Sequence, residues 1–193
     1  MTFSISQIKA NLDVVRPNLF KAVVTLPSPI FFSSVDSSLI STFQFRCEAT
    51  EIPGRTIATF DDQSTGTTKK LAYDVTYNDI NFTIIASQDM NERYIFEKWI
   101  DNIVQPSAHN NSGAKGGIVN YYDSYAKGTV DIYQLNGNNE TVCKYSLHRA
   151  YPLSISAMNL TWGETDTYQR FSVLMTYRYH TMEFPKTATI TAF

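Results

Sequence analysis

Charge is what this sequence has least of. Only 18% of its 193 residues are Asp, Glu, Lys or Arg, against about a quarter in ordinary globular chains. The formal net charge is -2 at pH 7, and the longest basic run is Lys69-Lys70. A protein that grips a nucleic-acid backbone needs a basic face, so that class is excluded. Long apolar runs are missing too. None approaches the roughly 20 residues of a membrane-spanning helix, and no membrane anchor is expected. Met1 to Ala10 lacks a charged region followed by an apolar one, so no secretory signal is expected. There are two cysteines, Cys47 and Cys143. They lie far apart at inward positions of strand-like segments, which favours free buried thiols over a disulfide. Without secretion, the Asn-x-Ser/Thr matches at Asn81, Asn110, Asn139 and Asn159 carry little weight.

Catalytic constellations are missing as well. There is no Gly-x-Ser-x-Gly, no phosphate-cradling glycine loop and no His-Glu-x-x-His. The histidines at 109, 148 and 180 are scattered, and no Cys/His group has metal spacing. The carboxylate pairs Asp61-Asp62 and Glu164 with Asp166 lie at predicted turn tips, where a solvated turn is the simpler reading than a glycosidase cleft. No enzyme activity, cofactor or metal is expected. Trp99 reads as core. Trp162, beside Gly163, also reads as core ahead of a sugar-stacking platform.

What the chain does hold is hydroxyl groups and aromatics. Its 17 serines and 21 threonines outnumber its charged residues, and it carries 12 tyrosines and 12 phenylalanines. A chain of 21.9 kDa buries about 70% of its unfolded surface, enough for one core without staples, and no linker or repeat divides it. Tyr, Phe and Thr favour strands, and alternation predicts several. Leu19 to Leu26 reads as a strand. In 43–50, Phe43, Phe45, Cys47 and Ala49 point one way and Gln44, Arg46, Glu48 and Thr50 the other. Residues 55–77 read as a long hairpin with its tip at Asp61–Thr68. In its second arm Leu71, Tyr73, Val75 and Tyr77 oppose Lys70, Ala72, Asp74 and Thr76. Ile80 to Ala86 is another strand. Tyr125–Leu135 and Thr141–Arg149 flank a turn at 136–139, and Pro152 is expected to break the chain that follows. Ala157–Trp162 and Tyr168–His180 flank a second turn, with Phe171, Val173, Met175, Tyr177 and Tyr179 on one face.

One helix is predicted over 90–104. Asp89 is its expected cap with Glu92 as partner, and Phe96, Trp99, Ile100 and Ile103 form its apolar stripe. Residues 1–15 read as an N-terminal arm, 105–120 as a flexible loop and 185–193 as a C-terminal extension. The class is mainly β: a sandwich or barrel of about eight strands with one packed helix.

Several segments, in their order, carry a family resemblance. They are Arg16-Pro17-Asn18-Leu19-Phe20; Phe43-x-Phe-x-Cys47-x-Ala49 with Ile52-Pro53; a hairpin; a helix with Phe96-x-x-Trp99; Tyr121, Tyr122 and Tyr125; a hairpin pair; Ala150-Tyr151-Pro152; and Leu160-x-Trp162 before a final alternating strand. From about Arg16 to His180 the chain resembles the tail tube proteins of contractile-tailed (myovirus-type) bacteriophages. The loops at 27–42 and 105–120 look longer than the family's compact form. The resemblance implies a structural virion protein. Its subunits would form hexameric rings, stacked into the inner tube of the tail, through which DNA passes without specific binding. The implied partners are other copies of the chain, the sheath protein, and baseplate and terminator proteins. The implied location is the virion tail, with assembly in the host cytoplasm. Baseplate initiators, tube terminators and the tubes of type VI and other injection systems share the fold. A monomeric carbohydrate-binding β-sandwich is the rival from another class.

A sliding polyanion suits a hydroxyl-rich, weakly acidic lumen, and Glu48 and Asp74 are the candidate lumen-facing acids on polar strand faces. The tip Asp61, Asp62, Gln63, Ser64, Thr65, Gly66 and Thr67 is the candidate ring-stacking element.

Overall fold

The computed structural model describes residues 15–27, 46–64, 66–105, 118–163 and 166–184. Phe43, Phe45, Thr65, the C-terminal extension and most of the N-terminal arm and the two long loops lie outside these residues.

The strands are β1 (Phe20–Thr25), β2 (Cys47–Thr50), β3 (Arg55–Asp62), β4 (Lys69–Tyr77), β5 (Ile80–Ile85), β6 (Val104–Gln105), β7 (Ile118–Val119), β8 (Gly128–Leu135), β9 (Thr141–Ile155), β10 (Arg170–Thr176) and β11 (Tyr179–Glu183). The helices are α1 (Asn91–Ile103) and a single turn, α2 (Tyr122–Tyr125). The molecule is mainly β; of the strands not expected, β11 comes from division of the predicted last strand, while the short pair β6–β7 joins Val104–Gln105 to Ile118–Val119, at the end of the predicted helix and inside the segment expected to be a flexible loop.

The organising element is β9. Its first half pairs with β8 and β11, and its second half pairs with β10, which continues to β5 and then β2. One strand therefore serves two sheets. The switch falls at Arg149, which has a left-handed φ of 56° and is skipped in the register between Thr129↔His148 and Gly128↔Ala150. A bulge of this kind bends a strand and raises its twist, and such bends make the corners of sandwiches. Pro152 does not break the strand. It lies buried inside β9 opposite Met175, next to a second register shift, the setting in which a strand tolerates proline. The predicted last strand likewise divides at the sheet boundary. Phe171, Val173, Met175 and Tyr177 are buried, but Tyr179 begins β11 in the other sheet and is exposed.

The core lies between the two sheets: Ala22, Val24, Val130, Ile132 and Leu147 from one, Ile80, Phe82, Ile84, Phe171, Val173 and Met175 from the other. Helix α1 closes it with Ile95, Phe96 and Trp99, and half-buried Ile103 packs against them. Ile100 is half-buried. Trp99 Nε1 donates to the Tyr125 carbonyl at 3.3 Å, and its ring lies on Gly128. A Cβ at that position would stand 2.5 Å from both the indole and the Ala150 carbonyl oxygen, so only glycine fits.

Asp89 does not cap the helix. Met90, with φ 55°, holds the cap position without a side-chain hydrogen bond. Glu92 turns inward instead: its Oε2 accepts from Ser87 N at 3.1 Å and Ser87 Oγ at 2.7 Å, and its Oε1 pairs with Arg46 Nε at 3.1 Å. The carboxylate thus ties the first helical turn to the chain that enters β2 and the chain that leaves β5.

Candidate assembly surface

β3 and β4 pair only with each other. They follow on from the ladder formed by β2 and β5, from which residues 51–54 and 78–79 separate them. The result is a two-stranded ribbon that leaves the body at the Ile80 end of β5. Nearly every residue in it is exposed, including Ile57, Phe60, Leu71, Tyr73 and Val75.

Its register departs from the simple alternation expected of Leu71, Tyr73 and Val75. Ala58 pairs with Asp74 but Thr59 pairs with Ala72, so Tyr73 is an extra residue in β4. A one-residue slip moves all later side chains to the opposite face. Cross-strand partners share a face, so Ile57 with Val75 lies on one side and Phe60 with Leu71 on the other. Apolar pairs therefore occupy both faces, and neither is a conventional solvent face. An isolated two-stranded hairpin of this kind is only marginally stable in water, and its free edges invite pairing.

The tip joins Asp62 to Lys69 and Asp61 to Lys70 in register, so its charges are matched. Ser64 N donates to Asp62 Oδ1 at 3.0 Å. That backbone bond and a second from the Ser64 side chain hold the Asp62 carboxyl below its ordinary range. Gln63 Nε2 donates to Thr68 Oγ1 at 3.3 Å. Gly66 has φ 77°, a conformation that other residues rarely adopt. Thr67 is exposed.

The two candidate lumen acids are not brought together. Asp74 sits exposed on the ribbon, on the Phe60 face, with its Oδ1 accepting from Val75 N at 2.7 Å. Glu48 belongs to the body. Its Oε1 pairs with Arg170 at 3.4 Å and accepts from the Tyr168 hydroxyl at 3.0 Å, while its Oε2 is buried with no hydrogen-bond partner among the described residues. Glu48 is also the extra residue of a bulge between Cys47↔Ile84 and Ala49↔Thr83. That bulge turns Ala49 outward, against expectation, and Thr50 inward.

At the root of the ribbon, a cleft of about 180 Å³ is lined by Pro53, Arg55, Tyr145, His180 and Met182. Burial, and secondarily the Arg55 charge, lowers the His180 pKa from its ordinary value. The other end of the body carries a larger cleft, of about 490 Å³, whose walls include Met158, Asn159, Tyr168 and Arg170. The predicted strand 157–162 is irregular chain here, because β9 already ends at Ile155. Leu160 is 85% exposed and Trp162 fully exposed, so Trp162 is not core. Proximity to Gly163 and the polar residues after it was the only sequence signal of a protruding loop.

Among the described residues, no group of three or more His, Cys, Asp or Glu is placed to hold a metal, and no helix is long and apolar enough to cross a membrane. Cys47 and Cys143 are free. Burial pushes the Cys47 thiol up to about 12 and raises that of Cys143.

A twisted two-sheet body with a projecting, doubly apolar ribbon defines a structural assembly module. The family described as phage tail tube protein matches residues 15–183, and the chain belongs to that family; its role is that of a structural tail tube component. The fold agrees. A chain in the baseplate of the anti-feeding prophage, solved with 6-fold symmetrisation, superposes with a TM-score of 0.60 at 11% identity, covering 89% of this chain and 96% of that one. A chain in the sheath-tube complex of an extracellular contractile injection system (PVC) gives 0.59 at 14% identity, covering 95% and 99%. One in the sheath/tube terminator of that system gives 0.59 at 12%, covering 88% and 96%. No curated protein matches the sequence.

Proposed function

We propose that this chain is the repeating subunit of the inner tube of a contractile tail, forming hexameric rings that stack head to tail around a channel for DNA. The observation that carries this reading is the β3–β4 ribbon. Its apolar pairs on both faces and its two free edges need cover that this chain's described residues do not supply, and another copy can supply it. The low charge agrees with a channel that must release phosphates readily. In this reading Asp74 is the stronger lumen candidate, since Glu48 is already paired. The exposed residues Tyr94, Glu97, Lys98 and Asp101 of α1 would face a sheath, as one neighbour's sheath-tube complex suggests. The place of action is the virion tail, after assembly in the host cytoplasm.

A second reading is favoured by the baseplate and terminator neighbours, which superpose as well as the tube neighbour. In that reading the chain starts or ends the tube and does not repeat along it. Negative-stain electron microscopy of the concentrated protein tests the first reading. Hollow tubes of uniform width are expected. Rings that never stack would support the second reading, and monomers at every concentration would refute both. Copy number per virion gives the same decision: a tube subunit is among the most abundant proteins, an initiator or terminator is not.

A further inference from the structure

The register brings four strands together beneath β11. Met182 pairs with Tyr145, and His180 pairs with the core residue Leu147. Cross-strand partners share a face, so Tyr145, His180 and Met182 all lie on the side of the sheet that Leu147 marks. Arg55 opens β3 opposite Tyr77, at the root of the ribbon, and the Tyr77 ring meets His180 edge-on at 5.3 Å. Their common corner is the cleft of about 180 Å³, with Pro53 and Arg55 on the ribbon side and Tyr145, His180 and Met182 on the body side.

This corner is rich in donors and has no charged acceptor. No Asp or Glu lines it, and among the described residues Arg55 forms no ion pair. A guanidinium is always charged and carries five N–H donors. Burial raises the pKa of the Tyr145 phenol, so that hydroxyl keeps its proton. Deeper in, His180 Nδ1 and the Tyr177 hydroxyl are both buried without a hydrogen-bond partner among the described residues, although buried polar atoms are ordinarily paired. The groups around His180 are Arg55 from β3, Tyr77 from β4, Tyr145 and Cys143 from one face of β9, and Tyr177 just ahead of β11. None is a carboxylate. Asp79, two places beyond Tyr77, is near enough to act on Tyr177 but does not line the cleft. Lys144 and Glu183 pair with each other on the opposite face of the sheet. Burial, and then the unanswered Arg55 charge, keeps the His180 pKa below its ordinary value. Converging polar groups in a cleft beside a residue with a shifted pKa are the pattern of a binding site.

We propose that this cleft binds a small oxyanion of the phosphate type, which bridges Arg55 on the ribbon to the His180 ring on the body. The volume suits that class. Water occupies about 30 Å³ in the liquid, so there is space for a tetrahedral oxyanion, while ordinary small-molecule pockets begin near 300 Å³. A dianion also matches the charge, since Arg55 supplies one positive charge and a protonated His180 a second. The site lies within one copy and does not depend on the tube reading. Its occupation ties β3 to β9 and β11 and fixes the angle at which the ribbon leaves the body. It also takes up a proton, because a neighbouring anion favours the imidazolium. The affinity therefore rises as pH falls, by at most about tenfold per pH unit.

Sulfate is the probe, because it stays a dianion across the range used. The Tm of the dilute full chain is measured in sodium sulfate and in sodium chloride of equal ionic strength, at about pH 6 and about pH 8, on either side of the ordinary histidine pKa. The parent, Arg55→Gln and His180→Gln are compared. Sulfate stabilises proteins generally by exclusion from their surface, and that part is common to all three chains. The parent should gain more from sulfate than Arg55→Gln does. The excess should be larger at the lower pH, matching a roughly threefold to tenfold rise in affinity. His180→Gln should keep a smaller excess that does not change with pH. Oligothymidylate at equal phosphate concentration should give no excess, since a diester carries one charge per phosphate and a chain does not fit the cleft. Equal gains in the parent and Arg55→Gln overturn the site, as does an excess in the parent that ignores pH or one that oligothymidylate reproduces. Hydrogen exchange on the parent chain gives a second measurement that needs no variant. In sulfate at the lower pH, amides of 53–58 and 179–183 should slow relative to those of the tip at 61–69. Uniform slowing, or none, refutes the bridge.

Discussion

Replacing Glu92 with alanine should destabilise the subunit by about 3 kcal/mol, although the residue sits on the first turn of a helix where Glu is usually exposed. Its side chain is only 4% exposed. It receives two hydrogen bonds from Ser87 and an ion pair from Arg46. A hydrogen bond to a charged group contributes about 1.5–3 kcal/mol net, and breaking a buried pair costs about 3–5 kcal/mol. Arg46 keeps 35% of its side chain exposed and rehydrates when its partner leaves, which places the total near the lower end of that range. For a chain of this length, about 3 kcal/mol corresponds to a fall in Tm of roughly 6–12 °C. Glu92→Gln should cost about half as much, since an amide oxygen still accepts from Ser87 and only the charge is lost. The assay is urea unfolding of the free subunit, followed by tryptophan fluorescence and kept dilute so that assembly does not add to stability. An alanine variant within about 1 kcal/mol of the parent, or a glutamine variant as weak as the alanine one, would refute the argument that this carboxylate joins α1 to β2 and β5.

Three further outcomes follow from the same geometry. Gly128→Ala should cost about 3 kcal/mol, the upper end for overpacking, because the new methyl meets a backbone carbonyl as well as Trp99; thermal unfolding checks it, and an unchanged Tm would show that the β8–β9 corner yields. Stability should fall as pH drops below about 6.5, because His180 is held neutral in the fold and binds its proton more readily when unfolded; the fall should be smaller in His180→Gln at matched pH values. Both thiols should resist iodoacetamide at pH 8 in the folded protein and react in urea, since burial raises the pKa of each; rapid labelling of the native chain would contradict the placement of Cys47.

Period and composition made the class legible, and local irregularity hid the rest. The helix stripe Phe96–Trp99 could be read because its period is set by the helix itself, and both residues are buried. Ile95 was missed because it flanks that stripe, and Glu92 because a buried carboxylate is defined by Arg46 and Ser87, which lie outside the helix. Alternation placed strands correctly at β4, β5 and β8, but it assumes an unbroken ladder. The bulges at Glu48, Tyr73 and Arg149 each insert one residue, and each reverses which residues face inward beyond it. No local pattern announces such an insertion, because it depends on the partner strand. Pro152 misled for the same reason: its missing N–H matters only where the ladder needs one. Trp162 misled because size and apolarity usually mean burial, whereas none of the described residues covers the ring.

The bulge at Tyr73 also bears on the proposed assembly. Without it, Leu71, Tyr73 and Val75 would share the Ile57 face and leave Phe60 alone on the other, so that most of the apolar surface could be covered from one side. With it, burying Phe60 and Leu71 leaves Ile57 and Val75 in water, so folding back satisfies only half of the ribbon. Covering both faces therefore needs more than one surface, and the described residues of the subunit supply neither. An arm of this kind discourages closure on itself and favours contact with neighbours, as the proposed tube assembly would require. The cost is an exposed apolar arm in the free subunit, and the neighbouring charges limit it: Lys69, Lys70, Asp61 and Asp62 cluster at the tip, where two ribbons would otherwise meet edge to edge.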